Sequence, residues 1–215
     1  MRGAVSDMKP PKGITLEEQL YANLMDEARQ RIHAMRDVIL DRDRWLPRLL
    51  QEFCYLQLRM LCEQIAVGCL IAHGEVKNKR TLKNWKIPDV MKQLQAMNPD
   101  FYPRGIRVRQ IEHRVHLDEY DVPQLTKSDL IRLWQRSGEY LHRGTAEKIF
   151  NERPEGPVVD ISEIIQWVQK IINLLEHHVI SSSDKSRHLI VFLSSEEHGG
   201  KTFLFTADGP AQYST

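Results

Sequence analysis

Apolar residues recur along the chain at two different spacings, and the change from one to the other sets the order of elements. Thr15 followed by Glu18 forms a capping-box pattern, and Leu16, Leu20, Leu24, Ala28 and Ile32 then return about once per helical turn, which predicts a helix over 15–40. The stretch 41–47 breaks that period. A second helix over 48–74 carries Phe53, Leu56, Met60, Ile65, Val67 and Ile71 in nearly every radial direction and stops at Gly74. A helix that is apolar all round belongs in the middle of its fold. Arg59 and Glu63 stand four apart on it, so that each charge has the other as partner.

The spacing predicts a short helix over 90–97 stopped by Asn98-Pro99. The period then switches to two at Ile106 and Val108, continuing through Ile111, His113, Val115 and Leu117 with a one-residue slip near Gln110, which reads as one bulged strand. Helical spacing returns after Thr126 and Asp129, with Leu130, Trp134, Ser137 and Leu141 aligned on one face. A Pro- and Gly-bearing loop over 151–157 leads to Asp160 with Glu163, a further cap, and to Ile161, Ile164, Ile165, Val168, Ile172 and Leu175 on an amphipathic helix. Alternating runs over 189–193 and 202–206 flank Gly199-Gly200 as a β-hairpin. The expected architecture is mainly α: an antiparallel bundle of four to five helices over 14–180, a flexible arm over 1–13, and a hairpin over 181–215 packed on the bundle.

The 215 residues suit one domain, whose size makes disulfides or a structural metal unnecessary for folding. Cys54, Cys62 and Cys69 lie along one side of the second helix, with no CxxC pair and no signal peptide, which points to core packing in a reducing cytoplasm. The most apolar window, 53–71, carries Arg59 and Glu63 in its middle, so no membrane span is expected.

Net charge is +1, but residues 77–114 hold ten Lys and Arg against three Asp and Glu. Lys79, Arg80, Lys83, Arg104, Arg107 and Arg109 of this block, interleaved with Trp85, Phe101 and Tyr102, are the mixture that holds a phosphate backbone and stacks on unpaired bases. The same block also reads as a solvated loop paired with acidic surface, on this chain or on a second subunit. Nine histidines show no zinc spacing: His113 and His116 fall on opposite faces of a strand, and His177-His178 cap the end of the last helix. Phosphate-loop, dinucleotide and nucleophile-elbow patterns are absent, so neither metal nor organic cofactor is expected.

What remains is the polar face of the helix after Thr126. Arg132, Arg136, Glu139, His142 and Arg143 project away from its apolar stripe. They join an imidazole able to exchange protons near neutrality with guanidinium groups able to hold a phosphate. Arg136, five residues and His142, with the polar Ser137 between them, resembles the motif of the HEPN superfamily, and the helix over 56–66 with Arg59 and Glu63 resembles an early helix of such proteins. The resemblance runs over about residues 15–178. It implies an all-helical RNA-binding bundle and, in its active members, a metal-independent endoribonuclease of toxin or antiphage systems. Arg136 would then bind phosphate and stabilise the transition state, His142 would act as general acid or base, Glu139 and Tyr140 would support them, and Arg143 would join the basic block in binding nucleic acid. Six residues at 100° each leave Arg136 and His142 about 120° apart, so a homodimer would bring two motifs into one cleft. The resemblance equally allows a non-catalytic interaction or regulatory module with a protein partner, and the same face reads as a solvated helix with Glu139 and Arg143 paired.

Overall fold

The computed structural model describes residues 15–74, 86–111, 114–141 and 159–208. The arm over 1–13, the loop over 151–157, Lys79, Arg80, Lys83, Trp85, His113, His142 and Arg143 lie outside the described residues.

The Thr15 capping box forms: its hydroxyl accepts from the Glu18 amide at 3.1 Å while the Glu18 carboxylate accepts from the Thr15 amide at 2.9 Å. Helix α1 follows over Leu16–Leu40, burying Tyr21, Met25, Ala28, Ile32 and Met35. A 3-10 turn at Arg42–Arg44 separates it from α2, Pro47–Ala72, with Pro47 at the start where no backbone donor is needed. Helix α2 touches each of the other four described helices, which explains why its sequence is apolar in every direction. Cys54, Leu58, Leu61, Cys62 and Ala66 have no exposed surface, and each fully buried leucine contributes about 1.5–3 kcal/mol over leaving it in water. By length and composition α2 could cross a membrane, and 67% of its most apolar window is buried inside this fold. Helices α3 (Ile87–Met97), α4 (Lys127–Leu141) and α5 (Ile161–Leu175) are the remaining helices among the described residues.

The β structure is larger than the sequence suggests. The single bulged strand over 106–117 is two strands, β1 (Arg104–Ile111) and β2 (Arg114–Glu119), paired antiparallel from Ile106↔Glu119 to Ile111↔Arg114. The slip near Gln110 is the phase change of a reversing chain rather than a bulge. The expected helix end at His177-His178 is also strand: α5 stops at Leu175 and β3 spans His177–Ser181. The hairpin forms as β4 (Arg187–Ser195) and β5 (Lys201–Asp208), turned by Gly199 and Gly200 at φ 65° and 74°, where side-chain-bearing residues are strained. Through β3 it joins one antiparallel sheet ordered β2-β1-β3-β4-β5, so the boundary expected at 180/181 falls inside a strand. An isolated hairpin is marginal in water, and β3 supplies the ladder that this one needed. The protein is therefore mainly helical with a small five-stranded antiparallel sheet.

Helices and sheet share one core, since Ile180, Val191, Leu193 and Leu204 pack in the same buried cluster as α2. At Gly105 of β1 the two layers meet so closely that a Cβ would stand 2.4 Å from the Asn173 carbonyl oxygen of α5. Gln124 clamps the spot, accepting from the Gly105 amide at 2.8 Å and donating to its carbonyl at 3.3 Å.

Histidine 178 is the most buried titratable group of the sheet. Its Nδ1 lies 2.9 Å from the Leu175 carbonyl oxygen, which can only accept, so Nδ1 carries the proton and Nε2 accepts from the Tyr21 hydroxyl at 2.7 Å. Burial without a counter-charge, aided by neighbouring His177, pushes its pKa down to about 4. Of the expected His177-His178 cap, His178 does hold the carbonyl of Leu175 at the helix end, but as a neutral imidazole inside the core and from a strand rather than as an exposed cation.

Candidate functional site

Helix α4 begins with the Thr126 hydroxyl accepting from the Asp129 amide at 3.1 Å. Its buried side is Leu130, Leu133 and Ser137, the Ser137 hydroxyl donating back to the Leu133 carbonyl at 2.7 Å. Trp134, expected in that stripe, is half-buried and lies at the seam with α2. There Arg59 pairs with Glu63 at 3.3 Å, its guanidinium sits 4.5 Å from the Trp134 ring centre, and the indole N–H donates to Glu63 at 3.0 Å.

On the face expected to project outward, Arg132 and Glu139 are exposed, while Arg136 is part-buried against α5. Asp160 caps that helix by accepting from the Glu163 amide at 2.9 Å, which turns Glu163, Trp167 and Lys170 toward α4. Between the two helices runs a groove of about 500 Å³ lined by, among others, Arg132, Arg136, Glu139, Glu163, Trp167 and Lys170. Beneath it the Asp129 carboxylate accepts from Arg132 at 2.6 Å and from Lys170 at 3.0 Å. Burial works against the charge on Asp129, and those two cations outweigh it, holding the carboxyl below its ordinary range. Both cations also lie against Trp167, each 5.1 Å from its ring centre.

Glu163 is the hub of the groove wall. Its Oε2 accepts from Arg136 Nη2 at 2.7 Å and from the Tyr55 hydroxyl at 3.1 Å, while Oε1 accepts from the Trp167 indole at 3.2 Å. Burial opposes ionisation here too, and the Arg136, Trp167 and Tyr55 donors more than offset it, so the carboxyl is lowered. Arg136 in turn donates to the Tyr140 hydroxyl at 3.2 Å, and Tyr140 stacks on Tyr55 with ring centres 4.0 Å apart. Hydrogen bonding to Glu163 raises the Arg136 pKa further above neutrality, making it a permanent cation. One atom is left over: Arg136 Nε is buried and has no acceptor.

Of the residues expected to act together, Arg136, Glu139 and Tyr140 are brought to this place: Arg136 and Glu139 line the groove, and Tyr140 backs Arg136. The basic residues of β1 are not, since none lines the groove. Arg104, Arg107 and Arg109 are exposed on the β1–β2 hairpin, where Arg109 pairs with Asp118 and Arg107 lies 5.5 Å from the Tyr120 ring centre. The aromatic half of the expected base-stacking mixture is corrected as well. Phe101 is fully buried, and the Tyr102 hydroxyl donates to the Leu125 carbonyl at 3.1 Å, so both rings belong to the core. Sequence reasoning missed Tyr55, Glu163, Trp167 and Lys170. Glu163, Trp167 and Lys170, spaced by four and three, were a legible polar stripe on α5; Tyr55, among apolar neighbours on α2, carried no such signal.

Among the described residues no cluster of three or more His, Cys, Asp or Glu is placed to hold a metal ion. Comparison of the chain with protein-family models, with curated proteins and with solved structures found no match.

Proposed function

We propose that this chain is a HEPN-like, cytoplasmic RNA-binding protein, an antiparallel helical bundle acting as a homodimer, which cleaves RNA without a metal in a toxin or antiphage setting. The observation that carries the reading is the placement of Arg136. Its side chain is 42% exposed at the wall of a groove of about 500 Å³ that also presents Arg132 and Lys170 together with the carboxylates of Glu139 and Glu163, so a permanent cation stands at a space able to admit a phosphate. In the proposed reaction the His142 imidazole takes the proton of a ribose 2′-hydroxyl, and the 2′-oxygen forms a bond to phosphorus. The bond to the 5′-oxygen breaks, the His142 imidazolium gives the proton it took to the leaving oxygen, and a 2′,3′-cyclic phosphate and a 5′-hydroxyl result. Arg136 holds the non-bridging oxygens as their charge grows. The basic residues Lys79, Arg80, Lys83, Arg104, Arg107, Arg109 and Arg143 carry the flanking strand.

The test is cleavage of mixed RNA in excess chelator by wild type, His142→Ala and Arg136→Ala, each checked for fold and oligomeric state. Wild-type activity lost in both variants, by at least about a hundredfold, is the expected result. A second reading, a non-catalytic interaction module, is favoured by the hold of Glu163 on Arg136, which neutralises the guanidinium in the described state. Equal inactivity of all three proteins, with RNA binding insensitive to salt, would select it.

A further inference from the structure

A guanidinium usually meets an oxyanion with two parallel N–H donors, which gives both strength and direction. Arg136 meets Glu163 with Nη2 alone, at 2.7 Å, and its adjacent Nε–H is buried with no acceptor. The edge formed by Nε and Nη2 is therefore half used. Tyr55 from α2 and Trp167 from α5 aim an O–H and an N–H at the same carboxylate, at 3.1 and 3.2 Å. Three elements thus converge donors on one anion position, and the anion now in it is a side chain of the protein. That side chain is 22% exposed and borders the groove of about 500 Å³, so it has solvent to swing into.

The geometry points to Tyr55, Arg136 and Trp167 as an anion cradle in which Glu163 is a displaceable resident, so that a phosphodiester enters by expelling this carboxylate and taking both donors of the Arg136 edge. This deepens, and rests on, the phosphate-binding role proposed above for Arg136. A phosphodiester offers two non-bridging oxygens, which matches Nε and Nη2 together, whereas the tethered carboxylate reaches Nη2 only. While Glu163 holds Nη2 alone, Nε has no acceptor, and a phosphodiester that displaces the carboxylate brings the second oxygen that this edge lacks. Glu163 then sets a threshold: ligands that offer a single weak oxygen do not open the site.

The proposal fixes the sign of one substitution. A labelled 2′-O-methyl oligoribonucleotide, which lacks the attacking hydroxyl and cannot be cleaved, is titrated by fluorescence anisotropy against wild type, Glu163→Gln, Glu163→Asp and Arg136→Ala, with thermal unfolding as the control for fold. Removing the competing charge in Glu163→Gln should tighten binding about fivefold, since a partly exposed ion pair is worth up to about that factor. Glu163→Asp withdraws the carboxylate by one methylene while keeping charge in the first turn of α5, and should show a smaller gain; it decides the matter if the glutamine variant does not fold. Arg136→Ala should weaken binding at least as strongly as Glu163→Gln improves it. If the Glu163 variants bind as wild type or more weakly while Arg136→Ala still loses affinity, Glu163 positions Arg136 and the displacement proposal fails alone. If Arg136→Ala binds as well as wild type, or wild type and Glu163→Gln both fail to bind, the phosphate reading falls and takes the proposal with it.

Discussion

The His178 environment makes the fold sensitive to acid in a calculable way. In the unfolded chain this imidazole titrates near its ordinary 6.5, and in the fold burial lowers it to about 4. The folded state therefore binds fewer protons than the unfolded state between those values. Stability from this group is complete above about pH 6.5 and is lost as pH falls toward 4. A difference of roughly 2.5 pH units corresponds to about 3 kcal/mol in full, of which about 2.5 kcal/mol is lost between pH 7.5 and 4.5. The perturbation is His178→Asn, which removes the titrating ring and keeps an N–H near the Leu175 carbonyl. At pH 7.5 it costs about 1–3 kcal/mol, because the buried Tyr21 hydroxyl loses its acceptor, and this cost shrinks as the pH falls. The informative quantity is the slope. Urea unfolding at several pH values should show wild-type stability falling more steeply than that of the variant, the two curves converging by about 2.5 kcal/mol from pH 7.5 to 4.5. Parallel curves would refute the assignment of a buried neutral imidazole, whatever the offset between them.

Two further outcomes follow from the packing. Gly105→Ala should cost about 3 kcal/mol and lower Tm by roughly 6–12 °C in a thermal melt, since the added Cβ meets a backbone carbonyl that cannot step aside and the Gln124 clamp is disturbed; an unchanged Tm would contradict that contact. The three cysteines should resist a thiol reagent at pH 8 until denaturant is added, because burial pushes the Cys54 thiol up to about 11 and those of Cys62 and Cys69 higher still; rapid labelling of the native protein would refute their burial.

The sequence determined the local events of this fold. The helix starts at Thr15, Thr126 and Asp160 were readable because capping is a contact across three residues, and both hydroxyls and the carboxylate make it. The central place of α2 followed from an apolar pattern that leaves no face for water. The Arg59–Glu63 pair followed from helix geometry alone. Hidden from the sequence were the contacts between segments far apart along it. A strand that reverses and a strand with a bulge have the same alternation with one shift of phase, so β1 and β2 became distinguishable only through their register. His177-His178 ends a helical run and looks like a cap, yet β3 forms there because β1 and β4 stand on either side to pair with it. The site divides in the same way. Periodicity placed Arg136 on the polar face of α4, but its partners Tyr55 and Glu163 come from positions 81 residues before and 27 residues after it. Helical phase specifies the direction in which a side chain points along its own helix; which helix stands opposite depends on how the apolar faces pack. That packing turned a solvated arginine face into a groove wall with a resident carboxylate.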